Sequence, residues 1–143
     1  MKIRTMGLAD YDAAYGLWKD TEGMGLRSLD DSKEGIERFL RRNPATSFVA
    51  VEEDRITGVL LCGHDGRRGY IYHTAVDVRR RGRGIGRALL SAALDALKKE
   101  GVKKVALVVF GTNSGGNAFW EKVGFTERSD LVYRNKSLDE RNI

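Results

Sequence analysis

The sequence has few of the residues that define several other protein classes. It contains one cysteine and one proline. Because a lone Cys62 cannot form an internal disulfide, the chain is not a disulfide-stapled domain. Cys62 ends an apolar stretch, residues 56–62, so we expect a buried core thiol and not a nucleophile.

Long apolar segments are also absent. No run approaches the roughly 18 residues of a membrane span, and residues 1–5 lack the apolar stretch of a signal peptide. We therefore expect a cytoplasmic protein that does not enter a membrane. With 143 residues, 41% of them apolar and 31% charged, we expect one domain over residues 1–143. Such a domain buries a core without a metal ion, and no metal site is predicted.

Residues 76–90 are the most informative segment. The segment starts at the end of an apolar strand, passes through Gly82, Gly84 and Gly86 at alternate positions and then opens into a helix. Glycines let the backbone turn tightly and bring its N–H groups close to a ligand. The start of a helix adds unpaired N–H groups and the positive end of its dipole. The segment therefore predicts a site for a phosphate or pyrophosphate.

The spacing of these glycines excludes two common phosphate-binding motifs. A dinucleotide fingerprint that begins at Gly82 would need a glycine where Arg87 stands, and it would need an acid about 20 residues further on. Residues 102–109 contain no acid. A Walker A loop needs Gly-Lys-Ser/Thr after four spacer residues, and the chain has none.

Residues 113–125 form a second pattern, which starts 27 residues after Gly86. Asn113 fits the N-cap of a helix, where its side chain accepts from an unpaired backbone amide. Gly124 fits the left-handed residue that ends such a helix, and Phe125 is expected to start a strand.

The two segments together resemble the GNAT family of N-acetyltransferases, whose motif A grips the pyrophosphate of acetyl-coenzyme A. Arg81-x-x-Gly84-x-Gly86 matches that motif, and the segment from Asn113 matches a second family motif. The turn at residues 64–70 and the length are most similar to small bacterial members of the YpeA type. Ribosomal-protein alanine N-acetyltransferases are the next most similar group within the family.

The resemblance implies an α/β fold (α+β layered). It consists of a mixed central sheet of about six to seven strands, flanked by about four helices, with a splay after the fourth strand. Hydrophobic periodicity agrees with the order β-α-α-β-β-β-α-β-α-β-β. Helices are predicted at residues 10–20, from a cap at Asp31 to before Pro44, at 84–100 and after Asn113. Strands are predicted at residues 2–6, 47–52, 56–63, 70–78, 102–110, 125–128 and 131–136, with a loose tail to residue 143.

The resemblance also implies a binding site for acetyl-coenzyme A as co-substrate. The strand before the glycine loop would pair with the pantetheine arm, and the loop would hold the pyrophosphate. The N–H of Val76 would stabilise the oxyanion that forms when an amine attacks. The implied cofactor-binding residues are Thr74, Ala75, Val76, Arg81, Gly82, Arg83, Gly84, Ile85, Gly86, Arg87, Asn113 and Trp120.

The residues expected to move protons depart from the family pattern. Trp120 stands where the family carries its acid, a tyrosine, and an indole N–H does not give up its proton at neutral pH. Val108 stands where the ribosomal-protein branch carries a glutamate base. The best remaining base is His73, since imidazole suits proton transfer near neutral pH. Tyr72 and Tyr133 are further candidates for an acid or a water relay.

The acceptor is predicted as a class only. In the family the loop between the first two helices covers the acceptor, which here places Met24, Leu26 and Arg27 against it. The acceptor is then a small-molecule amine or an amine of a peptide or protein. Homodimers are common in the family, and no interface can be chosen from the sequence.

Two other functions remain open at this stage. The net charge is +5, and seven arginines fall between Arg67 and Arg87, which leaves a basic RNA-binding domain as an alternative. No recognition-helix or RNA-binding signature is visible, so no nucleic acid is expected. The missing tyrosine leaves a second alternative, a non-catalytic sensor that binds acyl-coenzyme A.

Overall fold

A computed structural model describes all of residues 1–143. Its sheet has five strands, which lie side by side in chain order: β1 Lys2–Thr5, β2 Phe48–Glu52, β3 Arg55–His64, β4 Gly69–Val76 and β5 Val105–Ala106. Four helices flank it: α1 Tyr11–Lys19, α2 Lys33–Arg42, α3 Ile85–Lys99 and α4 Ser114–Lys122. None of the helices combines the length and the apolar character needed to cross a bilayer.

The sheet is mixed, as predicted. Strands β1 to β4 pair antiparallel with their neighbours, and β4 pairs with β5 in parallel. Alternation along β3 sends Leu60 and Cys62 to the face covered by α3, and sends Val59 and Leu61 to the face covered by α1 and α2. The core therefore consists of one apolar layer on each side of the sheet.

Cys62 lies in the layer under α3 and is fully buried, which confirms the expected core thiol. Burial raises the pKa of the Cys62 thiol to about 12. The group therefore keeps its proton at neutral pH and is not a nucleophile.

The predicted strand at residues 102–110 is wrong in length. Only Val105–Ala106 pairs with β4, and the chain beyond it leaves the sheet. Val108 and Phe110 are 59% and 57% exposed, so this apolar run is not covered on both faces. Apolar character alone does not keep a strand in a sheet where its neighbour diverges.

The predicted strands at residues 125–128 and 131–136 do not form, so the sheet has five strands and not six or seven. A strand needs a neighbouring edge to pair with, and the two-residue β5 offers almost none. The tail is also not loose at its end. Asn142 Oδ1 accepts hydrogen bonds from the backbone N–H groups of Leu29 and Asp30, at 2.9 and 3.0 Å.

The helix starts follow local capping, with one correction. Asn113 caps α4, since its Oδ1 accepts the N–H of Gly116 at 2.9 Å. The predicted cap at Asp31 is wrong by one residue. Ser32 caps α2, its Oγ accepting the N–H of Gly35 at 3.0 Å, and this leaves the Asp31 side chain free for another contact.

Candidate active site

A cleft opens between β4 and the chain that follows β5. The parallel pairing stops after Tyr70 and Ala106, and from there the two segments diverge. The cleft encloses about 2240 Å³ and extends from the loop after α1 to the start of α3. The predicted splay after the fourth strand is therefore present, and it supplies the space for a long ligand.

The edge of β4 that faces the cleft carries free backbone groups. The N–H of Asp77 donates to the carbonyl of Thr57 at 2.8 Å, at the end of the β3–β4 ladder. In an antiparallel pair, the backbone N–H and C=O groups of successive residues point alternately towards the partner strand and away from it. The N–H and C=O groups of Thr74 and Val76 therefore point away from β3, towards the gap that β5 leaves open. The Thr74 hydroxyl is buried there without a hydrogen-bond partner.

A β-bulge in β4 places two side chains on the same face. Ile71 pairs with Cys62, and Thr74 pairs with Leu60. Only one residue of β3 lies between these two partners, and two residues of β4 lie opposite it. These two are Tyr72 and His73. Tyr72 contacts Phe39 of α2 and His73 contacts Trp18 of α1, so both lie on the α1–α2 side.

The glycine loop presents a row of unpaired amides. None of the backbone N–H groups from Arg81 to Arg87 donates a hydrogen bond within the protein. Gly84 is the N-cap of α3, with φ +82°, a conformation that favours glycine. A Cβ at Gly84 would meet no atom within 4 Å, so the loop faces open space at the end of the cleft. This arrangement suits a phosphate or pyrophosphate.

The arginines near this loop divide into two groups. Arg79 is paired with Asp77 at 3.1 Å, and Arg80 with Glu52 at 2.7 Å. The others, Arg81, Arg83 and Arg87, have no acidic partner. Their charges are available for a bound anion. Arg81 also donates from Nε to the Val76 carbonyl, at 3.4 Å.

Trp120 forms part of the cleft wall on the α4 side. Its ring lies edge-on to those of Phe119 and Phe125, with centroids 4.9 and 5.3 Å apart. The three rings hold one another in place. An indole does not release its N–H proton at neutral pH, so Trp120 contributes an aromatic wall and no acid to the cleft.

His73 is held by contacts that the sequence did not reveal. Its Nε2 lies 2.7 Å from Oδ1 of Asp31, and the two side chains are 15% and 7% exposed. The second oxygen of Asp31 accepts the N–H of Arg27 at 2.7 Å. The Nδ1 of His73 makes no hydrogen bond within the protein, and the residue lines the cleft.

Three tyrosines lie along the same part of the cleft. The rings of Tyr70 and Tyr72 are 4.6 Å apart. Burial raises the pKa of Tyr72, and the nearby Tyr133 raises it further. Tyr72 is half exposed, and its hydroxyl, protonated at neutral pH as in any tyrosine, can donate a hydrogen bond. Tyr133 is largely exposed.

Nearly all of the site residues predicted from the sequence line this single cleft. On the cofactor side, the exception is Arg83. On the acceptor side, Met24 and Arg27 line the cleft and Leu26 does not, since it packs towards the core under α1 and α2. The catalytic candidates His73, Tyr72 and Tyr133 all line it. The structure thus brings the three predicted groups together around one space.

A freed strand edge next to a loop of unpaired amides suits a long ligand that carries both amide groups and a pyrophosphate. The chain belongs to the acetyltransferase (GNAT) family, whose model matches residues 11–125. As a member of this family it is an N-acetyltransferase that uses acetyl-CoA as co-substrate. The free amides, the unpaired arginines and the orphan Thr74 hydroxyl fit that co-substrate.

Individual relatives support this membership. An acetyltransferase of Sodalis glossinidius is 31% identical over 140 residues, which cover 98% of this chain and 97% of that protein. An aminoglycoside acetyltransferase from a soil metagenomic sample, in complex with sisomicin, has a TM-score of 0.76 and 22% identity and covers 96% of each chain. A Mycobacterium tuberculosis protein in complex with CoA and NLQ has a TM-score of 0.71 and 23% identity, covering 90% and 73%. The two solved structures show likeness of fold.

Proposed function

We propose that the protein transfers the acetyl group of acetyl-CoA directly to a primary amine while both substrates are bound, with His73 as the general base. The observation that carries this proposal is the placement of His73. Its Nδ1 has no protein partner, and the ring lies on the cleft strand just before the freed backbone groups of Thr74 and Val76. A base and a polar strand edge therefore face one space.

The cleft residues divide the binding of the co-substrate between them. The amides from Arg81 to Arg87, together with the side chains of Arg81 and Arg87, would hold the pyrophosphate. The free N–H and C=O groups of Thr74 would pair with amide groups of the pantetheine arm, which leaves the N–H of Val76 for the thioester carbonyl. Acetyl-CoA supplies the acetyl thioester. The N–H of Val76 is then available to stabilise negative charge on the carbonyl oxygen during attack.

The proton transfers fall to residues on β4. An amine attacks only when it is neutral, so its proton must be accepted at or before attack. His73 takes this proton on Nδ1, directly or through one water. The C–S bond breaks as the tetrahedral intermediate collapses, and CoA leaves as a thiolate that accepts a hydrogen bond from the Tyr72 hydroxyl. The thiolate then takes a proton from water, and His73 returns its proton to solvent. Trp120 closes the pocket without entering the chemistry.

The acceptor binds at the opposite end of the cleft, under the loop that follows α1. Met24 gives an apolar contact there, and Arg27 gives a positive charge. The solved neighbour in complex with sisomicin is an aminoglycoside acetyltransferase, which supports an amine of small or medium size as the acceptor class.

The two rival functions are less well supported. For RNA binding, the arginines would need to form one surface. However, Arg67 and Arg68 lie in the turn before β4, and the loop at Arg81 to Arg87 lies beyond its other end. For a non-catalytic sensor, the replacement of the family tyrosine by Trp120 is the favouring observation. A sensor would not need the base that His73 supplies.

A thiol-release assay over a panel of amines tests the proposal. The panel holds small amines, aminoglycosides and peptides with a free N-terminus or a lysine. We expect acetyl-CoA to raise the Tm by mass action, and at least one amine to produce CoA thiol. A raised Tm with no thiol release from any amine would indicate a sensor. Salt-sensitive retention of RNA without a Tm rise would indicate a nucleic-acid-binding protein.

A further inference from the structure

The imidazole of His73 is oriented by a carboxylate that lies far away in sequence. Asp31, in the loop before α2, is 42 residues from His73, yet Nε2 and Oδ1 are 2.7 Å apart. Asp31 is itself held in place by two further hydrogen bonds. Its second carboxylate oxygen accepts the N–H of Arg27, and its main-chain carbonyl accepts the Tyr11 hydroxyl at 2.6 Å. The His73 ring also lies against the indole of Trp18, with centroids 5.1 Å apart.

The contact determines which nitrogen carries the proton. A carboxylate only accepts, so Nε2 must be the donor, and a neutral ring then has a lone pair on Nδ1. Nδ1 is the nitrogen without a protein partner, on a residue that lines the cleft. The ring is thereby set in the one tautomer that can accept a proton from a bound amine.

We propose that Asp31 is a positioning residue for acetyl transfer, which holds the His73 imidazole in its Nε2–H tautomer and stabilises the imidazolium that forms when Nδ1 accepts the amine proton. This inference rests on the proposed function. It extends that function by making the acceptor loop part of the catalytic apparatus. Arg27 and Asp31 belong to the same loop, so a change in the loop reaches the base.

The variant Asp31→Asn gives a sharp test because Arg27 fixes how the new amide must lie. The N–H of Arg27 is a backbone donor and needs an oxygen. The amide oxygen therefore takes the Arg27 side, and the amide NH₂ faces Nε2 of His73. To accept from this NH₂, the ring must move its proton to Nδ1. The substitution preserves shape but leaves no lone pair on Nδ1.

The chain offers a matched control in its only other histidine. His64 Nε2 lies 2.8 Å from Oε1 of Glu100, and its Nδ1 accepts the N–H of Gly66 at 3.0 Å. In Glu100→Gln the amide oxygen can still accept from Nε2, and Gly66 keeps Nδ1 as an acceptor. This variant is expected to keep its tautomer and its turnover.

The experiment combines ¹⁵N NMR of the histidine rings in alkaline buffer with steady-state kinetics. Signals are assigned by comparison with His64→Gln. We expect wild-type His73 to be the Nε2–H tautomer and Asp31→Asn to be the Nδ1–H tautomer. We also expect kcat to fall by about 10²-fold or more, the scale of a lost general base. KM for acetyl-CoA and the Tm rise with acetyl-CoA should be unchanged.

Three results would overturn the inference. These are an Nδ1–H tautomer in the wild type, an unchanged tautomer in Asp31→Asn, or full kcat after the tautomer has switched. The wild-type measurement decides the point even when Asp31→Asn does not fold. Failure of the proposed function is a different result: the wild type then releases no thiol with any amine, while the NMR comparison still reports whether Asp31 sets the tautomer.

Discussion

The indole of Trp18 lies edge-on to the imidazole of His73, with ring centroids 5.1 Å apart and an interplanar angle of 65°. Trp18 is fully buried in the layer under α1 and α2. The His73 ring is therefore confined by α1 on one side and by Asp31 on another. A base held in this way is preorganised, so little conformational entropy is lost when it accepts the amine proton.

His73→Ala should reduce kcat/KM by roughly 10²-fold or more, because the amine loses its proton acceptor. Turnover and the Tm rise with acetyl-CoA are measured on the same sample, and we expect that rise to remain. His64→Ala serves as the control and should keep its rate. Full activity of His73→Ala, per folded molecule, would remove His73 from the mechanism and leave positioning of the two substrates as the source of catalysis.

Gly84→Asp should abolish the Tm rise with acetyl-CoA. The new carboxylate would enter the open space in front of the free amides and would repel the pyrophosphate. Gly66→Asp is a matched control: Gly66 also has a positive φ, +92°, and a Cβ there would likewise meet no atom within 4 Å, but it lies in the turn before β4. It should keep the Tm rise. Equal Tm rises in the two variants would place the pyrophosphate elsewhere.

Trp120→Tyr should keep the fold and raise turnover, since it restores a phenol at the position where the family carries its acid. Trp120→Phe keeps the aromatic packing against Phe119 and Phe125 without the hydroxyl, so a gain must be specific to the tyrosine. Rates are compared over a range of pH. Identical profiles for both variants and the wild type would show that protonation of the thiol is not limiting.

Cys62 should not react with a thiol reagent in the native protein and should react once urea unfolds it. Its folded-state pKa is about 12, against an ordinary value of 9.0. Between these values the unfolded thiol loses its proton and the folded one does not, so stability falls as pH rises through this window. Thiol labelling in native buffer and in urea checks whether the Cys62 thiol is buried in the folded protein. Fast native labelling would contradict the buried state and add background to the thiol-release assay.

Features that depend on neighbouring residues were predictable from the sequence. The cap at Asn113, the glycine loop and the helix that begins after Gly84 each follow from residues within one or two turns of one another. The splay was predictable only through the family resemblance. In the structure it follows from the early end of the pairing between Tyr70 and Ala106.

Features that depend on distant partners were not predictable. The contact between Asp31 and His73 requires α2 to be placed over β4, whereas the local pattern around Asp31 indicates a helix cap. The bulge that turns Tyr72 and His73 to one face depends on the register against β3. Residues 131–136 have strand-forming side chains but no free edge to pair with, and propensity does not report that.

The most direct measurement is the mass of the amine product formed with the best acceptor of the panel, taken together with the amount of CoA thiol released. The account predicts that wild-type protein forms one acetylated amine for each thiol, and that Gly84→Asp forms neither. Thiol released without acetylated amine would show hydrolysis. Stabilisation by acetyl-CoA with no product from any amine would contradict acetyl transfer as the function of this cleft.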